Sequence, residues 1–309
     1  MKDTIVDLDG VHKFYGDFEA LRGISLEVKS GQIFGYLGPN GSGKTTTIKL
    51  MLGLIKPSSG NVNVLGGDPF IDDLKAMDVR RNIGSMLEFD GIYERLTGLQ
   101  NLIFWAELYG MKRQKATEQA KVIINSLKLS EWADVQVVKY SYGTRKRLTF
   151  ARALVSDPEF IVLDEPTVGV DPESRYVMRN MIENLAAQGK TILFSSHDLE
   201  EVQKICSHIA ILSKGELIFN GPLKGAINQL GRTKIFIHFE SPGDANFLAK
   251  SLREMDYEVK IEGPLLSFYP EHDLDISNLT KGKILDTWKV DASLEEVYLK
   301  LVTDDEVDA

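Results

Sequence analysis

Apolar positions along this chain change their spacing three times, and the changes mark out its architecture. From residue 5 to 30 polar and apolar residues alternate loosely between turn signals at Gly10, Gly16 and Lys29-Ser30-Gly31. Short strands are predicted at Ile5–Leu8 and Ile24–Val28, forming an antiparallel β-layer. Gln32–Leu37 reads as a buried strand, Thr45–Leu52 as a helix, and Asn61–Leu65 and Asn82–Leu87 as strands. From Thr97 to about Ser156 strand signals nearly vanish. Leu99, Leu102, Ile103, Ala106 and Tyr109 fall at helical spacing behind Thr97 as N-cap, Gln114–Leu127 follows, and Leu148, Ala151, Leu154 and Val155 give a third helix its apolar face. This predicts a helical insertion, about 89–156, between strands of an α/β core.

Strand texture returns in the continuous apolar run Phe160–Leu163, which suits a parallel strand buried on both faces. A helix from about Glu173 to Gln188, a strand Thr191–Ser195, a helix opening at Ser196-His197-Asp198, and strands Ile209–Leu212 and Leu217–Asn220 complete a largely parallel sheet. Gly221-Pro222 punctuates the chain. Beyond it Ile235, Ile237 and Phe239 alternate, Phe247, Leu248, Leu252 and Met255 share one helical face, and Val259/Ile261 and Trp288/Val290 suggest further strands. Ser293-x-x-Glu296 is a capping box ahead of a last helix with Leu294, Val297, Tyr298 and Leu301 inward, and Thr303–Ala309 reads as a disordered acidic tail. The division expected is therefore 1–220 and a small α+β unit, 221–309.

Composition narrows the partners. With 309 residues, 43% apolar and 26% charged, the chain has an ordinary globular make-up. A formal charge of −9 argues against nucleic acid, whose binding needs a basic face. The single cysteine, Cys206, leaves no internal disulfide and reads as a small core residue. No signal sequence is visible, and no apolar run approaches the ~20 residues of a membrane span. A cytoplasmic chain is expected; action at a membrane would require another subunit to cross it.

Gly38-Pro39-Asn40-Gly41-Ser42-Gly43-Lys44-Thr45-Thr46 carries the first chemistry. It fits G-x-x-x-x-G-K-[ST] between a predicted strand and helix, the context of a phosphate-binding loop. Its glycines let backbone N–H groups turn onto an anion at a helix N-terminus. Lys44 supplies a mobile cation and Thr45 an oxygen for Mg²⁺. Asp164, ending the apolar strand, matches the carboxylate that orders that metal, and adjacent Glu165 is the candidate general base for water. Tyr15 is open between a core aromatic and a ring that stacks on a nucleobase.

Tyr140-Ser141-Tyr142-Gly143-Thr144-Arg145-Lys146-Arg147, just before the acidic strand, resembles the signature of ABC ATPases, usually L-S-G-G-Q. Ser141 and Gly143 are in register, whereas Tyr140, Tyr142 and Thr144 depart from the common form. The resemblance runs from Met1 to about Asn220 and implies a P-loop NTPase core with an antiparallel β-layer and a helical subdomain. By that resemblance Tyr15 stacks on adenine, Asn40 to Thr46 cradle the phosphates, Ser141 and Gly143 contact nucleotide, and Asp171 sits in the D-loop Val168-Gly169-Val170-Asp171. His197 matches the switch histidine; His12, His208, His238 and His272 have no such context. Glu88 stands where the Q-loop glutamine normally sits, a catalytic and metal-adjacent place. Phe89, Ile92 and Tyr93 would then floor a permease groove.

The resemblance further implies a homodimer whose two ATP molecules lie between head-to-tail cassettes, ATP and Mg²⁺ as cofactors, and a separate integral-membrane permease, with the chain peripheral on the inner face of the membrane. Ser293–Tyr298 resembles the end of the small C-terminal domain of drug- and sodium-efflux-type ATPases, which points to an exporter. The competing readings are a soluble ABC ATPase acting on nucleic acid or ribosomes, disfavoured by the single cassette and the acidity, and a regulatory module, disfavoured by Glu165 and His197.

Overall fold

A computed structural model describes residues 3–70, 74–87, 89–270, 279–280 and 282–307. It contains two compact units, one through Pro222 and one spanning Leu223–Thr303. The first unit is α/β. Strand β1 (Thr4–Tyr15) pairs antiparallel with β2 (Phe18–Lys29). Both strands are longer than their alternation suggests, because register shifts between Leu8, Val11, Lys13 and Phe14 break the period of two. On its other edge β1 pairs with β4 (Ser59–Val64), which gives the expected antiparallel layer.

The main sheet holds β3 (Ile33–Leu37), β5 (Ile83–Met86), β6 (Phe160–Asp164), β7 (Thr191–Ser195), β8 (His208–Ser213) and β9 (Glu216–Pro222) in the order β5-β6-β7-β3-β8-β9. Neighbours run parallel except at the β8–β9 hairpin. Strand β9 continues through Gly221-Pro222, with Pro222 opposite His208, so the punctuation at that dipeptide falls inside the strand. Every residue of β3 and β7 is buried. Helix α1 (Lys44–Met51) follows β3, and α2 (Leu74–Arg81) precedes β5. The sequence pattern missed α2 because its stretch is largely polar; Ala76 and Val79 are its buried apolar residues.

Between β5 and β6 the chain is helical: α3 (Gly98–Leu108), α4 (Arg113–Ser126) and α5 (Tyr142–Leu154), with short 3₁₀ turns before α5. Thr97 caps α3 in a reciprocal capping box with Gln100. Helices α6 (Pro172–Ala187) and α7 (Leu199–Ile205) flank β7 in sequence, capped by Asp171 and Asp198. Cys206, just beyond α7, is buried as expected, and burial pushes its thiol pKa up.

The second unit opens with α8 (Leu223–Leu230), a helix that the Gly221-Pro222 signal had masked. Its sheet has the order β11-β12-β10-β13, built from β10 (Lys234–Phe239), β11 (Val259–Glu262), β12 (Leu265–Phe268) and β13 (Ile284–Val290). Helix α9 (Pro242–Glu254) packs Ala245, Leu248, Ala249 and Leu252 with Ile235, Ile237, Phe239, Leu266 and Phe268. Phe247 and Met255, expected on that inner face, are exposed, and the small alanines take their place. The last helix, α10 (Leu294–Val307), runs into the acidic tail instead of stopping before it. Ser293 Oγ accepts the Glu296 N–H, but the Glu296 carboxylate takes a bond from the Tyr269 hydroxyl at 3.1 Å, so the capping box is not reciprocal.

Candidate functional site

A cleft of about 700 Å³ opens over the β3–α1 loop, a size that suits a nucleotide-scale ligand. Its floor is the loop from Gly38 to Thr46. Gly38 and Gly43 have φ of +151° and +110°, and a Cβ on either would collide, with the Leu212 carbonyl or with Leu21. Gly43 caps α1 without a side-chain bond, which leaves the first N–H groups of the helix facing the loop. Asn40, Gly41, Gly43, Lys44, Thr45 and Thr46 line the cleft, whereas Ser42 is buried beneath it with its hydroxyl unpartnered.

Lys44 Nζ folds back onto Gly38 O at 2.6 Å and Pro39 O at 3.1 Å. These are neutral acceptors, and a phosphate offers charged ones in their place. Partial burial lowers the Lys44 pKa, while the Glu165 and Asp164 carboxylates oppose that shift. Both acids reach the cleft from the end of β6. Glu165 takes a left-handed backbone, φ +50°, which few non-glycine residues adopt. Its carboxylate Oε2 lies 2.9 Å from His197 Nδ1, so this pair shares a hydrogen bond at the cleft wall.

Tyr15, at the end of β1, also lines the cleft. Its ring is about half exposed, with the Lys13 ammonium 5.3 Å from the ring centroid. That excludes the core-aromatic alternative and leaves a face open in the cleft. Phe18 stands beside it, a lining residue that the sequence did not single out. Thr45 and Asp164 provide a hydroxyl and a carboxylate, hard oxygen donors that suit Mg²⁺ in company with phosphate oxygens. Among the described residues no group of three or more His, Cys, Asp or Glu side chains forms a protein-only metal cage.

The structure separates some expected site residues from this cleft. Ser141 caps α5, accepting the Thr144 N–H at 3.1 Å, and neither it nor Gly143 lines the cleft of its own chain. Tyr142 and Lys146 do line it. Tyr142 donates its hydroxyl to Val168 O at 3.2 Å, and its ring lies against Gly169. Asp171 caps α6 through the Ser174 N–H at 2.9 Å, a bond that holds its carboxyl below the usual range. A Cβ on Gly143 would overlap the Asp171 carboxylate, so the start of α5 and the cap of α6 are in close packing. Glu88 and His272 lie outside the described residues. His12 bonds Glu19, and His208 lies 3.3 Å from the Gln32 amide; neither lines the cleft. No helix among the described residues is long and apolar enough to cross a membrane.

Residues 21–168 match the family described as ABC transporter. Over 298 residues, 96% of each chain, the sequence is 35% identical to a Burkholderia lata protein named Nod factor export ATP-binding protein I. A protein of the same name from Rhizobium sp. (strain N33) is 33% identical over 303 residues, 97% of this chain and 98% of that one. Among solved structures, a dimeric ATP-binding cassette in a post-hydrolysis state with ADP and phosphate aligns with a TM-score of 0.65 at 26% identity, covering 71% of this chain and 99% of its own. A subunit of an ABC transporter complex of Clostridium perfringens aligns with a TM-score of 0.67 at 26% identity, covering 74% and 92%.

Proposed function

The chain belongs to the ABC transporter family, and from that premise we propose that it is the ATPase subunit of an exporter, driving a separately encoded integral-membrane permease. The observation that carries the reading is the cleft that gathers Lys44, Asp164, Glu165 and His197 around a phosphate loop, with Tyr15 in its lining. Adenine would stack on Tyr15, and the loop N–H groups and Lys44 would hold the phosphates. Thr45 and Asp164 would hold Mg²⁺, which when bound neutralises charge on the phosphates. Glu165 would accept the proton of the attacking water on its carboxylate, and His197, 2.9 Å from Oε2, would hold that carboxylate in place and reach toward the γ-phosphate.

The exporter assignment takes support from relatives named for Nod factor export that align along nearly the whole chain. The absence of a membrane-crossing helix among the described residues fits a division of labour with a permease and a place at the inner membrane face. A homodimer is the arrangement in which the Ser141 and Gly143 donors, which do not line the cleft of their own chain, would complete a partner's site. Dimer closure on ATP and opening after hydrolysis would supply the mechanical step.

Two substitutions test the reading. Lys44→Ala is expected to abolish ATP hydrolysis and weaken ATP binding. Glu165→Gln should bind ATP normally, lose about 100-fold or more in turnover, and accumulate an ATP-bound dimer on gel filtration. Wild-type turnover in Glu165→Gln would remove Glu165 from the role of base.

A further inference from the structure

Ser195, the last residue of β7, is fully buried and stands directly opposite Asp164 in the parallel β6–β7 pairing. Its hydroxyl donates to Asp164 Oδ1 at 2.6 Å and accepts the Glu165 N–H at 3.1 Å. The Ser195 carbonyl also accepts that N–H, at 3.2 Å. One hydroxyl therefore spends its single proton on the first acid and a lone pair on the backbone of the second.

The surroundings make this placement informative. The three residues before Ser195 are Ile192, Leu193 and Phe194, all fully buried. A hydroxyl at the end of such a strand costs desolvation unless it is bonded, and both of its bonds go to the acid pair. Its bond to Oδ1 leaves Oδ2 of Asp164 as the oxygen free to take a ligand. Its bond to the Glu165 N–H supports a left-handed backbone, φ +50°, in which the Glu165 carboxylate meets His197.

We propose that Ser195 is a positioning residue for ATP hydrolysis: it orients Asp164 toward the cation and fixes the backbone that aims Glu165 at water. The proposal rests on the reading of Asp164 as the metal-ordering acid and of Glu165 as the water-orienting one. It acts as a supporting contact behind a ligand, a kind of contact whose loss typically costs 10–100-fold in metal affinity or activity.

The test uses the full chain and the variants Ser195→Ala, Ser195→Thr and Asp164→Asn. Mn²⁺ binding to the ATP-loaded protein is followed by electron paramagnetic resonance, turnover is measured at saturating Mg²⁺, and ATP binding is measured in the presence of chelator. Ser195→Ala is expected to weaken Mn²⁺ binding and to lower turnover by roughly 10-fold each, with metal-free ATP binding unchanged. Ser195→Thr, which keeps the hydroxyl, should restore both. Unaltered Mn²⁺ binding and turnover in folded Ser195→Ala would overturn the proposal, as would equal losses in the alanine and threonine variants, which would mark the site as one of packing alone. Asp164→Asn separates the two levels. If it weakens Mn²⁺ binding while Ser195→Ala does not, only the role of Ser195 falls; if it too has no effect, the reading of Asp164 falls first and takes the proposal with it.

Discussion

Glu201 on α7 is buried with one carboxylate oxygen satisfied: Thr167 Oγ1 donates to Oε2 at 2.6 Å, while Oε1 has no partner. Burial raises its pKa, and the Thr167 bond only partly offsets that. The folded chain thus keeps this proton to higher pH than the unfolded one. The stability it contributes is fully present below the unfolded value, roughly 4.3, and is lost as pH rises through the folded one. Glu201→Gln should therefore be more stable than wild type at pH 8, by about 1 kcal/mol or 2–4 °C in Tm for a unit of this size, and the gain should shrink as pH falls toward 4. Thermal unfolding of both proteins across that range checks it; a gain independent of pH would mean the carboxyl is not its source. At this scale the sequence showed a good deal of the site. Lys44, Asp164 and Glu165 were recognisable from local motifs and His197 from the family resemblance, and the four share one cleft. Ser195 was not, because its link to Asp164 comes from the register of β6 against β7, a pairing of residues far apart in the chain.

Helix α5 shows how an element ties separated segments together. Arg145 Nε donates to Asp90 at 2.6 Å and its Nη1 to Glu94 at 2.7 Å. About two turns further on, Arg152 donates to Ser85 O at 2.8 Å and lies 5.1 Å from the Trp105 ring centroid. Burial alone would raise the Asp90 carboxyl, but the Arg145 bond and the Ile92 N–H outweigh it and hold it below the usual range. The helix that carries Ser141 and Gly143 is therefore fastened to the segment after β5 and, through Tyr142, to Val168. A double-mutant cycle on Arg145→Ala and Asp90→Ala should give a coupling of about 1 kcal/mol in urea unfolding, limited because both side chains are partly solvated. A value near zero would mean the pair is a surface contact with no hold on the helix. Periodicity located α3, α4 and α5 because each buries an apolar stripe. It missed α2 and α8, short helices with few buried positions, and it shortened β1 and β2 where register shifts break the alternation.

At the scale of the whole molecule, the two units have separate cores. In the first, Val6, Leu8, Leu26, Phe34, Ile48 and Val62 belong to one buried cluster. In the second, the cluster is built on Ile237, Phe239, Leu248 and Phe268. Each cleft residue named above precedes Pro222 and so belongs to the first unit. Its ordered strands and helices argue for a task, and the proposal here is that it steadies the dimer or tunes turnover. A chain ending at Pro222 keeps the phosphate loop, both acids and His197 and should fold on the first core. Its ATP affinity should match that of the full chain within about two-fold, a difference of roughly 0.4 kcal/mol. The contrast should come in association. Carrying Glu165→Gln in both lengths removes turnover as a variable, and sedimentation of each in ATP then reads dimer strength alone. A weaker dimer in the shortened chain would assign the second unit to dimer contacts. Equal dimers with altered wild-type turnover would assign it to regulation. Loss of ATP binding in a shortened chain that still unfolds cooperatively would contradict the division of labour, because it would mean that the nucleotide site draws on residues beyond Pro222.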